Sequence, residues 1–324
     1  MSFIFRGSIT TLLLHCPHMT EFTLPAGVTV LERGWLSSNN ILILGAGPAA
    51  LIDSGYCTHA QQTLALVQAA LGPLPLDTLI NTHLHSDHCG GNAALQAAYP
   101  SLQTLIPPGL SNHVRNWNPE ALGFGPTGQR CPAFQFDTVL RPGTPLPLGD
   151  GQWQVHAAPG HDPHSVILFE PASRTLVSAD ALWERGFGVV FPELDGLDAF
   201  DEVAATLDLI AALQPAVVIP GHGRPFGDVA AALRVARQRL DDFVASPQRH
   251  RRYAAKVLLK FKLLEAQRLT RSELLAWAGS TTYLQSLLGA LAQGVPWPEA
   301  LDGLVQDLEH AGAAVQEGEW LCNA

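Results

Sequence analysis

Within seven consecutive positions, Thr82-His83-Leu84-His85-Ser86-Asp87-His88, the chain carries three imidazoles and a carboxylate. No other segment constrains the fold as strongly. A folded protein gathers four such groups where something binds them, and imidazole and carboxylate suit zinc, iron, nickel or manganese. The run follows Asp77 to Asn81, whose apolar centre Thr78-Leu79-Ile80 predicts a strand. It therefore reads as a metal site delivered by a strand end rather than as a His-rich surface loop. Gly90-Gly91 is expected to let the backbone turn tightly before a helix around Ala93 to Ala98.

Composition narrows what surrounds such a site. The chain has 324 residues, 47% of them hydrophobic and 15% charged. That predicts a folded protein with one large domain and one small one. The net charge is -10. The acid excess falls in residues 1–244, while residues 245–324 hold equal numbers of acidic and basic residues. A nucleic-acid track, which needs clustered Lys and Arg, is therefore disfavoured near the metal candidates. The five cysteines, Cys16, Cys57, Cys89, Cys131 and Cys322, form no CxxC pair. The expectation is a reduced, cytoplasmic protein without a disulfide framework. Arg6 and the short apolar run Ile9 to Leu14 make a poor signal peptide, so residues 1–18 are expected to be a loosely ordered extension. No stretch approaches the ~18 apolar residues of a membrane span.

Along the chain, strands alternate with helices. Asn40–Leu44 and Ala49–Asp53 flank the turn Gly45-Ala46-Gly47-Pro48 and read as a hairpin. Residues 59–71 read as a helix, and 107–147 as a long Gly/Pro-rich loop of the kind that serves as a lid. Trp153–Ala158, Ser165–Glu170, Arg174–Ser178 and Ala216–Ile219 read as strands, and 199–213 as a helix. This pattern predicts an α/β (α+β) layered fold. From about residue 245 the character changes to successive helices and a final hairpin over Val315–Leu321. The predicted domains are thus 19–244 and 245–324.

Three further pieces place ligand-type residues just after a strand. They are Pro159-Gly160-His161-Asp162-Pro163-His164, Ser178-Ala179-Asp180 and Pro220-Gly221-His222-Gly223. Strand ends hold side chains rigidly while facing an open edge. Each piece alone is an ordinary turn, but four together point to one site.

The ordered set His83, His85, Asp87, His88, His161, Asp180 and His222 resembles the metallo-β-lactamase-fold hydrolase superfamily over about residues 25–240. The resemblance implies an αββα sandwich with a two-metal site at one edge. It implies that His83, His85 and His161 hold one metal, that Asp87, His88 and His222 hold the other, and that Asp180 bridges them. It matches Asp53 to a carboxylate that orients a ligand histidine, an ordinary turn aspartate being the alternative. It further implies two divalent cations, zinc first and iron or manganese next, and a metal-bridging hydroxide as nucleophile, with Asp87 handling the water's proton. Cys89 reads as a packing residue. His164 is a candidate leaving-group acid, or else a loop residue before the next strand. Trp183, Glu184, Arg185, Arg115, Trp117 and Phe124 are candidates for the substrate wall.

Residues 245–324 more loosely resemble the winged-helix module appended to some members, on the strength of Leu304–Gly312 running into the final hairpin. Arg251, Arg252, Lys256, Lys260 and Lys262 form a basic stretch, read as a solvated face. The module is expected to serve structure or homodimerisation, or to cover the mouth of the site. The expected function is hydrolysis of a small ester, thioester, lactone or amide. The alternatives are an RNA or phosphodiester hydrolase and a ligand-binding regulatory protein on the same fold. The diiron flavoproteins of this fold are set aside, because they carry Glu where His85 stands and a flavodoxin domain that has no counterpart here.

Overall fold

The computed structural model describes residues 22–292 and 294–324. The expected N-terminal extension, 1–18, lies outside them. One mixed sheet runs in order through β1 (Val28–Leu31), β2 (Asn40–Ile43), β3 (Ala50–Ile52), β4 (Thr78–Ile80), β5 (Gln103–Ile106) and β6 (Thr138–Val139). A second holds β7 (Pro145–Leu148), β8 (Gly151–Ala157), β9 (Val166–Glu170), β10 (Thr175–Ala179) and β11 (Val217–Pro220), in the order β11-β10-β9-β8-β7. The hairpin predicted around Gly45 is the antiparallel β2–β3 pair, with Ile41 opposite Ile52.

Strand alternation explains the layering. Successive residues of a strand point to opposite faces. In β2, Ile41 and Ile43 pack between the sheets, while Leu42 packs outward with Val67 and Leu71 of α1 (Ala60–Leu71) and Leu95 of α3 (Asn92–Ala98), which follows the short α2 (Ser86–Cys89). In β9, Val166 and Leu168 face the first sheet. Ile167 and Phe169 face the opposite layer, which begins beyond the short helices α4 (Ser111–Arg115) and α5 (Phe191–Leu194) with α6 (Phe200–Leu213) and α7 (Val229–Ala245). Strands buried on both faces need a helix layer on each side, and the result is the α-β-β-α sandwich. Trp153, 1% exposed, anchors the middle layer.

Past α7 the chain forms α8 (Pro247–Ala266), β12 (Arg268–Thr270), α9 (Arg271–Ser280), α10 (Thr282–Leu291), α11 (Trp297–His310), β13 (Ala314–Glu317) and β14 (Trp320–Asn323). Pro247 occupies the first turn of α8, where its missing N–H costs nothing. The Thr270–Glu273 capping box starts α9. Strand β12 had no sequence signal of its own; it exists because β14 offers it an edge, with Leu269 opposite Leu321.

The basic stretch differs from expectation. Its face stays partly exposed but is also paired with α11 and the final hairpin. Arg252 makes a bidentate pair with Asp307 at 2.7 and 3.0 Å, and Lys256 approaches the same carboxylate at 3.4 Å. Lys260 donates to Ala313 O and Asn323 Oδ1, and Lys262 to Glu265. Among the described residues no helix is long and apolar enough to cross a membrane.

Candidate metal centre

Five strand ends converge on one edge of the sandwich. β3 ends at Asp53, β4 delivers Thr82 and His83, β8 leads to His161, β10 to Asp180, and β11 to Gly221 and His222. The two sheets are stitched there by main-chain bonds, from Val166 N to Thr82 O at 2.9 Å and from Asn39 N to Gly221 O at 2.7 Å. Asp53 (φ 56°) and Ala179 (φ 46°) hold left-handed conformations rare outside glycine. Both stand where a strand stops and a site carboxylate begins, so part of the backbone strain of the fold falls at this edge.

The Gly90-Gly91 pair differs from its expected role. The backbone there is ordinary right-handed helix, with φ of -63° at Gly90 and -84° at Gly91. What the pair permits is close approach: a Cβ on Gly91 would lie 2.4 Å from Ser54 O. This lets α2 press its His88 against the end of β3.

All seven residues singled out from the sequence meet at this edge. His83, His85 and His161 place one nitrogen each within 4.8 Å of one another; so do the donors of His83, His88 and Asp180, and those of Asp87, His88 and His222. Asp180 lies between the groups. Its Oδ1 is 3.5 Å from His88 Nε2, and its Oδ2 is 3.5 Å from His161 Nε2 and 3.8 Å from His222 Nε2. His222 Nε2 is 3.0 Å from Asp87 Oδ2.

Neighbouring groups set the imidazole tautomers. His88 Nδ1 is 2.8 Å from Asp53 Oδ2, and that carboxylate also accepts from Thr82 N and Thr82 Oγ1. His161 Nδ1 is 2.5 Å from Val189 O. With both Nδ1 atoms donating, both Nε2 lone pairs are free for the centre. The Nε2 atoms of His83, His88 and His161 are buried without a hydrogen-bond partner among the described residues. An unmet buried polar atom costs ~1–3 kcal/mol, so these atoms call for a ligand.

Charge agrees. Burial and the neighbouring His88, His85 and His161 hold the His83 imidazole well below its ordinary pKa, and burial with His85 pushes His161 down to about 4. Both are therefore neutral and able to donate a lone pair. For Asp180, burial pushes upward, but His222, His88 and His161 outweigh it and hold the carboxyl well below the usual range. Burial lowers His88, yet Asp53, Asp180 and Asp87 leave it well above an ordinary histidine. Three clustered carboxylates demand positive charge, which a proton on His88 or a metal cation supplies. The donor set fits a metal on both grounds.

The site opens into a cavity of about 510 Å³. His164 lines it, its ring beside Gly109 and its N–H held by Asp162 Oδ1 at 2.7 Å. Trp183 also lines it and donates to Asp180 Oδ1 at 3.2 Å. Phe124 is a wall residue as expected, but Glu184, Arg185, Arg115 and Trp117 are not among the lining residues. Trp117 packs on Phe134, and Arg115 lies over the Phe136 ring. Cys89 is buried with its sulfur 3.8 Å from Cys131 Sγ, outside the donor groups, and no disulfide joins the described cysteines.

Two residues beside the ligand histidines were missed. Trp35 stacks on His222 with ring centroids 5.3 Å apart and planes 9° apart. Asp162 comes within 3.9 Å of His85. Trp35 has no periodic or motif context, and only the folded chain brings it to His222. Asp162 stands beside His161 in a motif already quoted and could have been flagged from it.

The family model described as the metallo-beta-lactamase superfamily matches residues 33–222. The chain belongs to that superfamily. Within the metallo-beta-lactamase superfamily, a hydroxyacylglutathione hydrolase from Xanthomonas euvesicatoria pv. vesicatoria (strain 85-10) is 33% identical over 195 residues, 60% of this chain and 64% of that protein. The match thus spans just under two thirds of that relative's length. A beta-lactamase domain protein from Burkholderia ambifaria shares the fold over 94% of both chains, at a TM-score of 0.58 and 20% identity. TTHA1623, solved in a di-iron-bound form, is 27% identical with a TM-score of 0.50, covering 64% of this chain and 98% of that one.

Asp53 gives the first testable consequence. Asp53→Asn keeps the shape but removes the charge that orients His88, and metal affinity or activity is expected to fall about 10–100-fold, with the far-UV circular dichroism unchanged. Metal affinity and rate both within twofold of wild type would make Asp53 an ordinary turn residue.

Proposed function

We propose that this chain is a metal-dependent hydrolase acting on a small ester, thioester, lactone or amide. In this proposal His83, His85 and His161 hold one divalent cation, Asp87, His88 and His222 a second, and Asp180 faces both. The observation that carries it is the set of buried, partnerless Nε2 atoms of His83, His88 and His161 beside the Asp180 carboxylate. Zinc leads because the donors are imidazole and carboxylate, with iron and manganese next; the di-iron form of TTHA1623 keeps iron in view. Two such ions supply Lewis acidity at the scissile carbonyl and lower the pKa of water at the centre.

The chain's own residues do the rest. Asp53 and Val189 O fix the ligand tautomers. Asp87, whose side chain is 15% exposed and lines the cavity, is the carboxylate placed to accept the attacking water's proton. His164, on the wall of the same cavity, is the candidate to protonate the leaving group. Trp35 and Trp183 flank His222, limiting its rotation and shielding that side from water.

The division at residue 245 is supported by a separate apolar cluster formed almost wholly of residues 254–321. A winged-helix-like reading of 245–324 is supported by the three-stranded sheet β12-β14-β13, which α8, α9 and α11 contact. An RNA-cleaving role is disfavoured because Arg252, Lys256 and Lys260 are engaged within the protein.

A panel of thioester, lactone, phosphodiester and β-lactam substrates, assayed with and without EDTA, tests the proposal. Hydrolysis of a carbonyl substrate, lost with chelator and restored by zinc, is expected. Phosphodiester cleavage alone supports the nuclease alternative, and turnover indifferent to chelator overturns metal dependence.

A further inference from the structure

The wall of the cavity carries information that the donor set does not. Helix α8 contributes Tyr253, Val257 and Phe261, at four-residue spacing and so on one face. Leu122 and Phe124 of the long loop and Tyr283 of α10 line the same cavity. Helices α8 and α10 lie beyond residues 33–222, the span of the superfamily match, so this part of the wall comes from outside the matched region. Among the described residues lining the cavity there is no Lys or Arg, whereas Glu120, Asp162 and Asp195 all line it. A volume of about 510 Å³ lies within the ~300–1,000 Å³ usual for small-molecule sites.

Apolar walls recognise by area removed from water, and away from the metal ligands wall carboxylates with no Lys or Arg beside them disfavour anionic groups. We infer that the substrate carries an uncharged apolar acyl chain, seated between α8 and the loop 120–127, and that substrates recognised through anionic groups are selected against. This deepens the hydrolase proposal and rests on it. It also predicts slow turnover of a glutathione thioester, the substrate type named for the Xanthomonas relative, since the two carboxylates of the glutathione part meet no Lys or Arg on these walls.

Two arms test the inference. In the first, the metal-loaded protein is assayed on p-nitrophenyl esters from acetate to decanoate. The expected kcat/KM rises about fourfold per methylene, which is ~0.8 kcal/mol for each buried CH2, until the cavity is full. A neutral hexanoyl thioester should exceed hexanoyl-glutathione by tenfold or more. In the second, decanol binding is measured by calorimetry on wild type and on Val257→Trp, with and without EDTA. Val257→Trp fills the cavity. It should weaken decanol binding and lower the decanoate/acetate rate ratio at least tenfold, while Val257→Leu retains both. A flat chain-length series, or decanol binding that is absent or unmoved by Val257→Trp, overturns the inference even where acetate ester is hydrolysed in a metal-dependent way. Should no ester turn over, the substrate panel above decides the hydrolase proposal, and the decanol arm still decides whether the cavity binds a chain.

Discussion

Replacing Asp180 with Asn is expected to lower hydrolysis by roughly 10²–10³-fold, the scale of losing one preorganised electrostatic element at a reacting centre. The substitution conserves shape, so the thermal unfolding midpoint should move little. What it removes is the charge facing His88, His161 and His222 at 3.5, 3.5 and 3.8 Å. The held metal should fall with the rate, because the carboxylate lies within reach of both ligand groups. Activity surviving this change would mean that the nucleophile is generated elsewhere.

The second large effect comes from a residue with no side chain. A Cβ on Gly221 would sit 2.2 Å from Asp180 Oδ1, 3.0 Å from His88 Cε1 and 3.1 Å from the Ala179 backbone. Gly221→Ala must therefore rotate the Asp180 carboxylate or push β11 away from β10. The expected loss of activity approaches that of Asp180→Asn, with an added overpacking cost of ~1–3 kcal/mol in unfolding free energy. Kinetics and denaturant unfolding on the same preparation separate the two effects. Wild-type rates from a destabilised variant would show that the carboxylate's position is not critical.

A site residue is legible in the sequence when its signal is local. The His83–His88 run and the Pro-Gly-His pieces were legible because each ligand sits on a short motif next to its own strand. The residues that finish the site were not. Trp35 reaches His222 from far along the chain, and the α8 wall reaches the cavity from outside the catalytic sandwich. Arg252, Lys256 and Lys260 looked solvated on helical spacing alone, since their partner Asp307 lies on another helix, 55 positions from Arg252. Gly90-Gly91 announced a turn, yet its use is contact between two backbones. Periodicity and motifs report what a residue does for its own element; long-range packing decides the rest.

In the proposed function, seven side chains at one sandwich edge hold a pair of metal ions. Elemental analysis of the protein, purified without chelator or added metal, tests it most directly. About two equivalents of divalent metal per chain are predicted, with zinc foremost. A content near zero in gently purified, folded protein would contradict the claim.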